Sequence, residues 1–342
     1  MGALRSIVCL LLLVGSDFSA EADWTPCGPQ EAFQVASLTV DPADPNTIYA
    51  TGTTSADANS EAAWKTTDGG KSWNRMALDH KAAGLLLIDP GDPKILYTSS
   101  SCSVFRSADA GKTWSVLGGV ANAAPRLGTF AFALDPNAPE TLYLGLGFQG
   151  YRADGGLWKS QDGGAQWAAS GLSGSTVYDL DIVPGDRNTL YAATNLGLFR
   201  STDGGASWDD IGPAGVEARH RAVVVDADPQ RILVGTSGDG VFRTADGGQS
   251  WVPSVQGLTH PAVYALAIDP GKPQNVWAGT SGGGVFHSTD GGTSWRRVDE
   301  GAAATYATTV TIVPADPSVV YVTAGREGLL RWTEADDILE NE

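Results

Sequence analysis

The chain has 342 residues, long enough for two or three average domains or for one large repetitive one. Its 43 Gly, 18 Pro and 11 Trp, against only 2 Met, describe many short elements joined by turns and argue against a helical bundle. An apolar fraction of 42% supports a sizeable core, while a formal charge of −17 disfavours nucleic acid and anionic membranes as partners.

In chain order, the first residues read as an export signal. Arg5 supplies a positive start, Ile7 to Val14 form an apolar run, and Ala20-Glu21-Ala22 is a small-residue cleavage site. The run is too short to span a bilayer, which takes about 20 apolar residues. The expected organisation is a signal peptide at 1–22, a folded domain at 23–337 and an acidic tail at 338–342. The mature chain is then secreted or periplasmic, without membrane insertion once the signal is cleaved, and monomeric. Cys9 falls in the leader, leaving Cys27 and Cys102, which an oxidising compartment allows to pair although sequence does not fix their separation.

Self-comparison then decides the architecture. The octapeptide Ser/Thr-x-Asp-x-Gly-x-x-Trp occurs at Thr66–Trp73, Ser107–Trp114, Ser160–Trp167, Ser201–Trp208, Thr244–Trp251 and Ser288–Trp295. Successive tryptophans lie 41, 53, 41, 43 and 44 residues apart. Before each copy come short β-branched or aromatic runs, as in Ala265-Leu-Ala-Ile-Asp269-Pro, Asn275-Val-Trp-Ala-Gly-Thr280 and Gly284-Val-Phe-His-Ser288. Each unit is a four-stranded meander, A to D, of propeller-blade length. A seventh unit starts at Thr308 and runs through Leu329 to Arg331, where Glu334 replaces the box aspartate and no tryptophan follows. Trp24 lies 49 residues before Trp73, so a strand around it is expected to complete the last blade. The expected fold is all-β, a single seven-bladed β-propeller closed by its N-terminal strand.

The octapeptide resembles the Asp-box, or BNR, repeat of sialidases, xyloglucanase-type glycosidases, sortilin-like receptors and photosystem II assembly-factor propellers. That resemblance covers essentially the whole mature chain and implies the fold; it does not imply a shared chemistry. The box pairs Asp68 with Trp73, Asp109 with Trp114, Asp162 with Trp167, Asp203 with Trp208, Asp246 with Trp251 and Asp290 with Trp295. All are read as structural: the carboxylate accepts turn amides and the ring covers the turn.

By analogy with other propellers, ligands are expected at the channel mouth built from D-to-A and B-to-C loops. Those loops hold Arg126, Phe148, Tyr151, Arg152, Tyr178, Arg219, His220, Arg221, His260, Tyr264, Tyr306 and Arg326, an arginine and aromatic set suited to carboxylates, sugars or protein side chains. Blade four alone places two acids, Asp179 and Asp181, on the channel-facing positions of strand A. They offer an acid/base pair, a cation site, or partners for Arg219 or Arg221. No metal motif or cofactor-binding loop is present, and no metal or cofactor is expected. Resemblance to sialidases implies an arginine triad and a Phe-Arg-Ile-Pro segment, and that segment is missing. Resemblance to xyloglucanases implies two facing propellers, each giving one catalytic Asp, where this sequence holds one. The expectation is therefore an exported non-catalytic propeller that binds a protein or glycan, with a carbohydrate-active glycoside hydrolase as the alternative.

Overall fold

A computed structural model describes residues 23–333, apart from 31, 55–60, 79–83, 101–102, 121–126, 148–154, 217–218, 300–305 and 326–327. The leader, the acidic tail, Cys102 and the candidate residues Arg126, Phe148, Tyr151, Arg152 and Arg326 lie outside the described residues. The described residues form an all-β propeller of seven four-stranded antiparallel sheets, with no helix long and apolar enough to cross a membrane. Blade four shows the plan: β14 (Val177–Ile182) lines the channel, followed outward by β15 (Leu190–Thr194), β16 (Leu198–Ser201) and β17 (Asp209–Asp210). Every residue of β15 is buried, because both of its faces pack against neighbouring blades. Its run Leu-Tyr-Ala-Ala-Thr is therefore continuously apolar or small rather than alternating.

The boxes sit on the turns between the third and fourth strands. At the first, Thr66 donates its hydroxyl to Asp68 at 2.7 Å, and Asp68 accepts the Ser72 amide at 2.9 Å and hydroxyl at 2.6 Å. Gly69 and Gly70 have φ of 70° and 91°, a left-handed pair that a Cβ would strain. The indole N–H of Trp208 donates to the Ser170 carbonyl of blade three at 2.8 Å, and Trp251 likewise reaches Ile211 of blade four at 2.7 Å. Trp73 and Trp295 likewise tie their blades to the one before, whereas Trp114 and Trp167 donate to Gly111 and Gly164 of their own turns. Five of the six box rings are only half-buried, and Trp295 alone is buried at 5% exposure, so the boxes act as pins on the rim more than as core.

The box carboxylates are correspondingly acidic. Hydrogen bonds from Ser72 and Thr66 pull the Asp68 pKa down to about 2, and Asp109, Asp203 and Asp246 are lowered to about 2 by the equivalent bonds. A depressed folded-state pKa contributes stability that is present above the usual carboxylate value and lost as pH falls toward 2. Melting curves from pH 5 to 2 are expected to show a progressive fall in midpoint, shallower in an Asp203→Asn variant. A flat acid limb would remove the boxes from the stability account.

A second device joins blades in the forward direction. In five blades the third strand places a cation opposite an aromatic of the second, as Lys65 opposite Tyr49, Lys159 opposite Tyr143 and Arg331 opposite Tyr321, while blade five sets Arg243 opposite Leu233. Lys159 Nζ lies 5.3 Å from the Tyr143 ring centroid, and both side chains donate to the Gly204 carbonyl in the next blade's box, at 2.8 and 3.1 Å. Blade six departs from this pattern because blade seven offers no box to grip. There Trp277 stacks on His287 at 4.2 Å and meets Trp332 at 4.6 Å and Trp24 at 6.5 Å. Burial lowers the His287 pKa to about 4, so the imidazole is neutral within this aromatic seam. Trp24 belongs to β1 (Asp23–Pro26), which runs antiparallel to β28 (Leu329–Thr333) with Trp24 opposite Trp332. In this way β1 forms the outer strand of the seventh sheet.

Candidate functional site

The channel mouth is built by a repeated irregularity. The innermost strands of blade one and of blades three to seven carry a bulge, at Val35/Ser37, Thr129/Ala131, Val177/Asp179, His220/Ala222, Val263/Ala265 and Ala307/Thr309. A bulge inserts one unpaired residue and re-aims its side chain. In blades three to six the inserted residues are Phe130, Tyr178, Arg221 and Tyr264, and they form a continuous row. Phe130 meets Tyr178 edge-to-face at 5.7 Å, and the Arg221 guanidinium lies 4.0 Å from the Tyr178 ring centroid and 4.7 Å from that of Tyr264. All four side chains are half-buried, keeping part of their surface at the mouth.

The same bulge explains where the expected histidine went. It turns Arg221 toward the channel and leaves His220 facing into blade five, 3% exposed, with burial lowering its pKa and no hydrogen-bond partner on Nε2. His220 is therefore not part of the loop-face surface. His260 does stand at the mouth side, half-buried and packed so closely on Gly283 that a Cβ there would fall 2.2 Å from the His260 Cβ. Tyr306 is 55% exposed and bridges to Ser281 of the preceding blade. Arg219 is half-buried at the rim of blade five, where its carbonyl accepts the Ser237 amide at 2.9 Å.

Asp179 and Asp181 lie just below the aromatic row on β14. Their bonding corrects one of the expected roles: instead of pairing with Arg221, they accept backbone amides from β18 (His220–Val225), the innermost strand of blade five. Val223 donates to Asp179 Oδ2 at 2.9 Å, Leu180 to Asp179 Oδ1 at 2.9 Å, and Val225 to Asp181 Oδ2 at 2.8 Å. The innermost strand of a blade has no further strand to satisfy its inward donors, and these carboxyls supply the acceptors. Burial raises the Asp179 pKa to about 6, against the amide bonds that lower it. Burial, with the nearby Asp179 charge adding to it, raises Asp181 to about 7. Among the described residues no group of three or more His, Cys, Asp or Glu is placed to hold a metal ion.

The row was legible in part. Tyr178, Arg221 and Tyr264 each immediately precede the first channel-facing position of their strand, as does Phe130. That alignment, residue by residue, is the signal that marks them as one surface, and loop composition alone does not show it.

No protein-family model matches the chain. A xyloglucanase of a Paenibacillus species is 29% identical over 192 residues, which cover 45% of this chain and 17% of that enzyme. The GH74 enzyme of Niastella koreensis superposes over 90% of this chain and 53% of its own, with 17% identity and a TM-score of 0.70. YCF48 from Cyanidioschyzon merolae superposes over 91% of this chain and 98% of its own, with 16% identity and a TM-score of 0.68. The two structural matches carry the fold, a seven-bladed propeller of the kind shared by xyloglucanases and YCF48. The sequence match spans only a small share of the xyloglucanase, yet it points to a glycoside hydrolase. It overturns the expectation of a non-catalytic binding propeller.

Proposed function

We propose that the chain is the propeller of a carbohydrate-active glycoside hydrolase, exported by its leader and acting on a polysaccharide laid across the channel mouth. The observation that carries this reading is a pair of raised-pKa carboxyls, Asp179 and Asp181, beside a row of aromatic rings. Glycosidic hydrolysis needs one carboxyl protonated as acid and one ionised as base. Here Asp181, at about 7, is the acid and Asp179, at about 6, the base. Two residues apart on one face of the strand, their Cα atoms are separated by roughly 6.6 Å at a rise of about 3.3 Å per residue, which makes the two carboxyls neighbours. Phe130, Tyr178 and Tyr264 supply the flat apolar faces that sugar rings pack on. The partial match to xyloglucanases supports the same substrate class.

Reducing-sugar release from xyloglucan and from other plant polysaccharides tests the reading. The expected kcat/KM profile is a narrow bell, rising as Asp179 ionises near pH 6 and falling as Asp181 loses its proton near pH 7. No release from any polysaccharide across that pH range would reject the reading.

A further inference from the structure

Arg221 is held in a way that a sugar-stacking surface does not by itself require. Among the described residues, it has no ion pair; the two recorded pairs are Arg231 with Asp226 and Arg297 with Asp299. The nearest acids on the neighbouring strand, Asp179 and Asp181, are bonded to the amides of Val223 and Val225 instead. Arg221 Nε is buried without a hydrogen-bond partner. Two tyrosine faces, at 4.0 and 4.7 Å, sandwich the guanidinium and fix its plane. A half-buried guanidinium with an unpartnered nitrogen and no ion pair is costly, and the cost is relieved when an anion accepts from its exposed edge. A planar guanidinium held rigid by flanking rings is arranged for a carboxylate, which it meets with two parallel hydrogen bonds. The bulge that aims Arg221 at the mouth, and not into the blade as it does His220, puts this donor in line with Phe130, Tyr178 and Tyr264.

We propose that the channel mouth takes a glycan bearing carboxylate groups, with Arg221 binding a uronate carboxylate and the rings beside it contacting the sugar rings. This rests on the hydrolase reading for the site's occupant, and it adds the substrate's charge. A wholly neutral glucan would leave Arg221 without an acceptor.

Titration calorimetry of the full chain with tetragalacturonate and with cellotetraose, alongside reducing-sugar release from the corresponding polymers, tests it. The expected result is at least about tenfold tighter binding of tetragalacturonate, weakening as salt rises. Arg221→Gln is expected to remove that preference, and Arg221→Lys to restore only part of it. Equal or tighter binding of cellotetraose by the wild-type protein overturns the proposal, as does an Arg221→Gln protein that melts normally and keeps the preference. If that variant does not fold, the wild-type selectivity and its salt dependence decide. Cleavage of a neutral polymer with no uronate preference would sink the Arg221 assignment alone. Uronate binding without cleavage of any polymer would sink the hydrolase reading and leave Arg221 standing. Binding of a peptide through its free C-terminal carboxylate, with no binding of tetragalacturonate, would overturn the glycan assignment.

Discussion

Asp181→Asn is expected to lower the hydrolytic rate by about 10²- to 10⁴-fold, the range contributed by a positioned general acid. The same substitution is expected to raise, not lower, the melting temperature at pH 8. Its folded-state pKa of about 7 lies above the ordinary 3.8, so the contribution to stability is fully present below about 4 and lost as pH rises through 7. Asparagine cannot ionise, yet its Oδ1 still accepts the Val225 amide bonded at 2.8 Å. The sign separates this geometry from an ion network with arginine, in which the neutral replacement strands a buried cation and destabilises. Asp179→Asn removes the base and is expected to lose activity across the whole profile, and to show a smaller stability gain at high pH, since its pKa is raised only to about 6. Rates and melting curves on the same preparations check both. A folded Asp181→Asn protein with full activity would return these carboxyls to amide-capping alone.

Trp24→Ala is expected to cost about 3 to 5 kcal/mol, the range for truncating a buried large aromatic. Trp24 is 8% exposed, its N–H donates to the Val298 carbonyl at 2.6 Å, and its ring meets Trp277 across the seam of blades six and seven. For a domain of this size that cost shifts the midpoint by very roughly 10 °C. Trp208→Ala removes a half-buried ring from the rim and is expected to cost clearly less. A thermal midpoint unaffected by Trp24→Ala would show that the pairing of β1 with β28 does not carry ring closure.

What the sequence determines here is what repeats. A box of Thr, Asp, Gly and Trp is a local object: Asp68 bonds partners at most four residues away, and its glycines take the one backbone conformation that fits. Six copies at near-constant spacing therefore fix the strand count, blade number and order without any knowledge of contacts. Even the departure of the last blade is readable, because Glu334 stands where the box aspartate belongs.

What only the tertiary structure decided is what differs between blades at one place in space. Loop position put His220 and Arg221 together at the channel mouth, but His220 pairs with Thr236 and is buried in the blade, while the bulge re-aims Arg221 to the mouth. The partners of Asp179 and Asp181 were equally out of reach, since the amides of Val223 and Val225 lie 44 residues downstream and are open only because β18 is an inner edge. The Trp24, Trp277, His287 and Trp332 cluster joins residues up to 308 positions apart, brought together because the ring closes there and no box turn fills the seam. Local hydrogen bonding and periodicity set the blades; the inner edges and the ring's closure, which exist only once the blades are assembled, set the site.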